Sequence, residues 1–224
     1  MGGAVREVLA LGAGVALSPL AIIAVVLMLA APHGRASGAA FLAAWMLALT
    51  AVGTVVLLVA DVADADDGGA PADWVSILKL LLGALLLLLA ARQLRGRGGD
   101  AEGALPGWTR RLDGVTPARS AGLAVLLAAV KPKNLLLTVA AGVAIAQTGA
   151  SPARQAGVLL VFVLIGALAP GVPVAVDALM PERGPGVLAA MRHWMVREND
   201  TIVAVLCAVL ALKLIVGGVQ SLTG

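Results

Sequence analysis

Apolar stretches near twenty residues long recur along this chain, separated only by short polar connections. A helix needs about 20 apolar residues, rising 1.5 Å each, to cross a hydrocarbon layer of roughly 30 Å. Only helices and closed barrels satisfy every backbone group in that layer. With 60% of residues hydrophobic and 13% charged, the pattern is that of a polytopic helical membrane protein and not of a soluble core. Six spans are read, at about 8–31, 37–60, 74–94, 120–147, 154–177 and 201–222. The first is too long, and too poor in basic residues at its start, for a cleavable signal peptide.

The polar residues narrow the chemistry. Cys207 is the single cysteine, so an intrachain disulfide or a paired-cysteine zinc site is excluded. His33 and His193 lie in separate connections without metal-ligand spacing. No metal, cofactor or nucleic-acid partner is expected. The connection 61–73 carries Asp61, Asp64, Asp66, Asp67 and Asp73 and no cation, whereas 92–119 carries Arg92, Arg95, Arg97, Arg110, Arg111 and Arg119. Arginine-rich short loops stay cytoplasmic. The third-to-fourth connection is therefore expected inside, together with His33–Arg35 and residues 178–200, and both termini outside. Arg6 and Arg154 weigh weakly the other way.

Two apolar halves, 1–94 and 120–224, flank a cytoplasmic linker at 95–119 rich in Gly, Arg, Asp and Pro. A second cytoplasmic segment, 185–198, sets Val187, Leu188, Met191, Trp194 and Met195 on one helical face, with Arg192, His193 and Arg197 turned away. It reads as a surface helix in the lipid headgroups, or as a gate over a pore. The halves resemble each other: "KLLLGALLLL" at 79–88 answers "KLIVGGVQSL" at 213–222, pairing Lys79 with Lys213 and Gly83 with Gly217. "ALSPLAII" likewise answers "AVKPKNLL" and pairs Pro19 with Pro132. Three spans per half is an odd number, so the halves cross in opposite directions, the inverted-repeat plan of many secondary transporters. The expected fold is an all-α membrane protein of six transmembrane helices in two inverted three-helix repeats.

The paired prolines predict breaks in the first and fourth spans. Pro132 lacks an N–H and disfavours helix at Lys131, while Ser18-Pro19 reads as an N-cap followed by proline at the first helical position. Two half-helix N-termini would then face each other at mid-depth, a setting suited to an anion. The alternative is that both prolines merely kink ordinary membrane helices. The lysines favour breaks. All four (Lys79, Lys131, Lys133 and Lys213) fall inside spans, while the twelve arginines lie in connections or at span ends. A lysine at a helix centre costs roughly 2.5–3.5 kcal/mol by insertion scales. Lys79 has an escape by snorkelling to the outer surface. No Asp or Glu lies deep in a span, so these cations are expected to lack protein partners and to be met by a ligand, with Asn134 donating its amide and Ser18 assisting. Neutralising Lys131, Lys133 or Lys213 is then expected to stop transport and leave folding intact. Gly83 and Gly217 are expected at close helix contacts.

"ALSP", "KPKNLLL" and the paired Lys-Leu-x-x-Gly segments resemble the peptidoglycolipid-addressing family, which includes the sulfolipid-addressing proteins, within the lysine-exporter superfamily. The resemblance covers nearly the whole chain, and its most specific element is Pro132-Lys133-Asn134. Lys131 departs from the family's run, which more often opens with asparagine, and adds a charge. The resemblance implies an inner-membrane protein moving anionic envelope lipids or glycolipids outward. Its expected partners are that lipid and the bilayer, with homodimer formation left open. Export of a small solute such as an amino acid is the first alternative, and a scaffold of a lipid-export complex the second. An enzyme is not expected, because the spans offer no acid–base or nucleophile set.

Overall fold

The computed structural model describes residues 2–66, 73–95 and 115–180, and beyond them separate positions between 182 and 219. Every regular element among the described residues is helical. Helices α1 (Gly2–Ala16) and α2 (Pro19–Leu29) form a pair bent by 48°. Helix α3 runs unbroken over Gly34–Asp66 and α4 over Asp73–Arg95. Helix α5 (Pro117–Val125) passes through a π-helical turn, Leu126–Val130, and meets α6 (Pro132–Ala146) at a bend of 62°. Helices α7 (Pro152–Gly166) and α8 (Leu168–Leu179) meet at 58°.

By length and composition Gly34–Ala60 can cross a membrane alone, and each bent pair can do so as one broken span. The chain is a membrane protein. Both prolines of the sequence pattern sit at a bend. The fifth span, read from sequence as a plain helix over 154–177, is also broken, at Ala167. Pro170 explains it: a proline has no N–H to return to the carbonyl four residues back, which is Gly166. Helix α3 outruns its apolar stretch, continuing through 61–66, where the acidic composition predicted a connection. Most of the linker (96–114) and most of the last apolar stretch lie outside the described residues, as do Lys213 and Gly217.

Packing follows from which helices lack a polar face. Helix α2 is apolar all round, and α6 nearly so beyond its first turn; both are largely buried. Helix α6 lies against α1 and α3, α2 against α8 and α3, α1 against α7, and α3 against α5. Trp45, Phe41, Phe162, Leu49, Leu137 and Ile145 fill the centre. Leucines and valines such as Leu47, Leu58, Leu85, Leu88 and Leu164 stay exposed around the outside, where acyl chains would cover them. At one end, Arg35 donates from Nε to Asp177 Oδ2 (3.0 Å), and Ser37 Oγ donates to the Val115 carbonyl (2.9 Å). The starts of α3 and α5 and the end of α8 therefore share one face, which gathers His33–Arg35 and the descent toward residue 178. Leu188 is buried and Met191 packs on the core, so this part of the 185–198 segment lies on the protein.

Candidate functional site

The breaks of the first and fourth spans meet, and a lysine joins them. At the first, the N–H groups of Ala21 and Ile22 both turn to the Ser18 carbonyl (3.0 and 3.2 Å), so the Leu17 carbonyl loses its helical donor. Lys133, in the first turn of α6, supplies the replacement: its Nζ donates to Leu17 O at 2.7 Å and to Gly14 O at 2.9 Å. The residue is 4% exposed. Both acceptors lie at the C-terminal end of α1, the negative end of that helix, where a cation is stabilised. The expectation that Lys133 lacks a protein partner is therefore corrected. Main-chain carbonyls set free by the break match the ammonium, a pairing that a search for carboxylates overlooks.

At the second break, Lys131 takes the extended conformation (φ −61°, ψ 121°) that a following proline imposes. Its N–H reaches back five residues to Leu126 O (3.0 Å), as a π turn requires, and so leaves Leu127 O without its usual donor. Asn134 Nδ2 fills that gap at 2.9 Å. The bond fixes the amide's orientation, since a carbonyl can only be met by the NH₂ end. Asn134 thus turns an acceptor, Oδ1, toward the remaining space, where the sequence reading had it donate. Thr138 Oγ1 bonds the Asn134 carbonyl (2.8 Å) and holds the turn.

Ser18 occupies the N-cap position of α2 with Pro19 next, but its hydroxyl makes no capping bond. The N–H of Ala21, at the third helical position, goes to the Ser18 carbonyl instead. Ser18 Oγ and Asn134 Oδ1 are both buried and, among the described residues, neither has a hydrogen-bond partner. Buried polar atoms are nearly always satisfied, so each exception calls for an explanation. Ser18 follows Leu17 and Asn134 follows Lys133, so the two orphans flank the same lysine bridge.

The third break repeats the device. Gly166 O, deprived of a donor by Pro170, accepts from Trp45 Nε1 at 3.1 Å, across from α3. Trp45 was not singled out from sequence; the available signal was a proline four residues beyond a glycine, facing a deep indole. Of the other residues expected at the site, Lys131 is partly buried at the junction. Lys79 lies in α4, with nothing described of its side chain, and Lys213 lies outside the described residues. Gly83 faces the last apolar segment: a Cβ added there would stand 2.7 Å from Ile215 Cγ1 and 3.2 Å from Ala211 O. Among the described residues no three of His, Cys, Asp and Glu are grouped to hold a metal ion.

The sequence model of the sulfolipid-1-addressing proteins matches residues 8–220, which include both joined breaks and every lysine of the chain. No protein of curated function and no solved structure matches. With nearly its whole length matched, the chain belongs to the sulfolipid-1-addressing protein family.

Proposed function

We propose that this protein is an inner-membrane transporter that carries an anionic envelope glycolipid outward, its headgroup passing the joined breaks while its tails stay in the bilayer. The family points to lipid export or addressing. The observation that carries the mechanism is the junction itself. Two orphaned polar atoms, Ser18 Oγ and Asn134 Oδ1, are buried beside a lysine bridge in the middle of two apolar spans. A group that meets Asn134 Oδ1 must donate a hydrogen bond. A sugar hydroxyl can; a sulfate or phosphate oxygen cannot. That favours a glycolipid over a simple anionic lipid. Lys131, Lys79 and Lys213 are the cations assigned to the negative charge, and Lys133 holds the site's frame.

Movement is assigned to rocking between two inverted halves. The packing supports the exchange of halves: α3 lies on α5 and α6, as the α7–α8 pair lies on α1 and α2. Both termini are placed outside, with the 92–119 and 178–200 connections in the cytoplasm. No covalent step is involved.

Reconstitution into liposomes tests the class. Fluorescent lipids bearing a sulfated sugar, a neutral sugar, a phosphate or no headgroup are scored for transfer between leaflets. The sulfated glycolipid should move fastest. If only water-soluble amino acids cross, the small-solute alternative wins; if nothing crosses in any arm, the scaffold alternative does.

A further inference from the structure

Holding the frame of the site does not exhaust what Lys133 does. Its ammonium sits buried between Gly14 O and Leu17 O, at 2.9 and 2.7 Å, on the C-terminal end of α1. Freed carbonyls at the end of a half-helix are the means by which broken-helix transporters coordinate a coupling cation. Here the position is filled by a cation belonging to the chain itself. We propose that the Lys133 ammonium is a tethered substitute for a coupling metal ion, so that the α1–α2 break is held, and substrate moved, without sodium or potassium.

The chemistry is consistent with that role. The ammonium donates to both carbonyls while opposing the negative end of the helix dipole, which a neutral donor would not do. A tethered ion also acts at a fixed, high effective concentration, so the site stays filled whatever the salt outside. An ion from solution would instead make stability and rate depend on its concentration. The part concerning movement rests on the transport reading; the fixed cation rests on geometry alone.

Wild-type protein in detergent is melted in sodium chloride, potassium chloride and choline chloride at equal ionic strength, and lipid transfer in proteoliposomes is measured in the same three media. Melting temperature and rate should be the same in all three. Lys133→Ala should melt lower by about 5 °C or more, and sodium or methylammonium, but not choline, should restore part of the loss. Lys133→Gln, which keeps a donor without the charge, should also melt lower. A sodium- or potassium-specific rise in wild-type stability or rate overturns the proposal, and this arm needs no variant to fold. Wild-type stability in Lys133→Gln overturns it too, as does a Lys133→Ala loss that no small cation restores. If wild type moves lipid in no medium while the melting results are as expected, the transport reading fails and the tethered cation stands.

Discussion

Trp45→Phe isolates how a broken membrane helix is held. The indole is fully buried, stacks on Phe41 (centroids 5.8 Å apart, planes at 20°), and donates to Gly166 O. Phenylalanine keeps a ring for the stack and removes the N–H. Interhelical side-chain bonds in membranes average only about 0.6 kcal/mol, because the unfolded chain in lipid finds other partners. Gly166 O is a harder case, since Pro170 withholds the backbone donor that would serve it in any helical state. A buried carbonyl left unmet costs about 1–3 kcal/mol, so the polar share of the loss should be about 1–2 kcal/mol. Loss of ring volume adds a further ~1 kcal/mol of packing. A double-mutant cycle separates the two. Pro170→Ala restores an N–H four residues after Gly166, so the carbonyl regains a donor whether or not Trp45 is present. Trp45→Phe should therefore cost about 1–2 kcal/mol less in the Pro170→Ala background, while the packing share persists. Reversible unfolding in mixed micelles measures both backgrounds. Strict additivity would show that the Trp45–Gly166 bond contributes nothing and that the break is held by packing alone.

Asn134→Asp keeps the shape but turns an acceptor onto Leu127 O, so it should melt lower than Asn134→Leu, which only removes the donor; the reverse order would mean that the amide faces the other way. Gly83→Val should cost about 1–3 kcal/mol by overpacking against Ile215, and Ile215→Ala should recover part of it in the same unfolding assay. Lys131→Met and Lys133→Met should differ in kind. The first should slow lipid transfer, whereas the second should lower melting temperature because two carbonyls lose their donor. Unchanged melting of Lys133→Met would contradict the bridge. For topology, Ser221→Cys in a Cys207→Ala background should react with a membrane-impermeant thiol reagent only from outside; labelling from the cytoplasm alone would overturn the six-span orientation.

What the sequence made legible was the set of positions where the backbone loses a donor. Pro19 and Pro132 stand out because they interrupt apolar runs at matching places, and a bend occurs at each. Pro170 carries the same physics, yet Gly166 and Ala167 are unremarkable in a membrane helix, and nothing local says whether a proline kinks or breaks. The answer depends on a tertiary donor, Trp45, 121 residues away. Lys133 shows the converse. Its burial was legible from its place in an apolar span, but its partner was not, because main-chain carbonyls have no sequence signature. Asn134 was expected to donate its amide to a substrate, but that amide is taken by a carbonyl seven residues back in its own span.

These three breaks change how polar residues in this chain should be sorted. A broken membrane helix exposes carbonyls, and each described break takes a donor-bearing side chain to cover them: Lys133, Asn134 and Trp45. Such side chains are needed for the fold whether or not anything is transported, so a buried lysine is not by itself a sign of substrate. The atoms that folding leaves over are a different set. Among the described residues Ser18 Oγ and Asn134 Oδ1 are buried without hydrogen-bond partners, which costs stability and calls for an occupant such as water or a ligand. They lie where two breaks share a side chain, so a shift of α6 against α1 would displace Asn134 and Lys133 relative to Ser18 and the freed carbonyls of Gly14 and Leu17. Under the proposed transport, a rocking motion between the halves would therefore act on the atoms assigned to the headgroup, which would couple binding to movement without a separate gate.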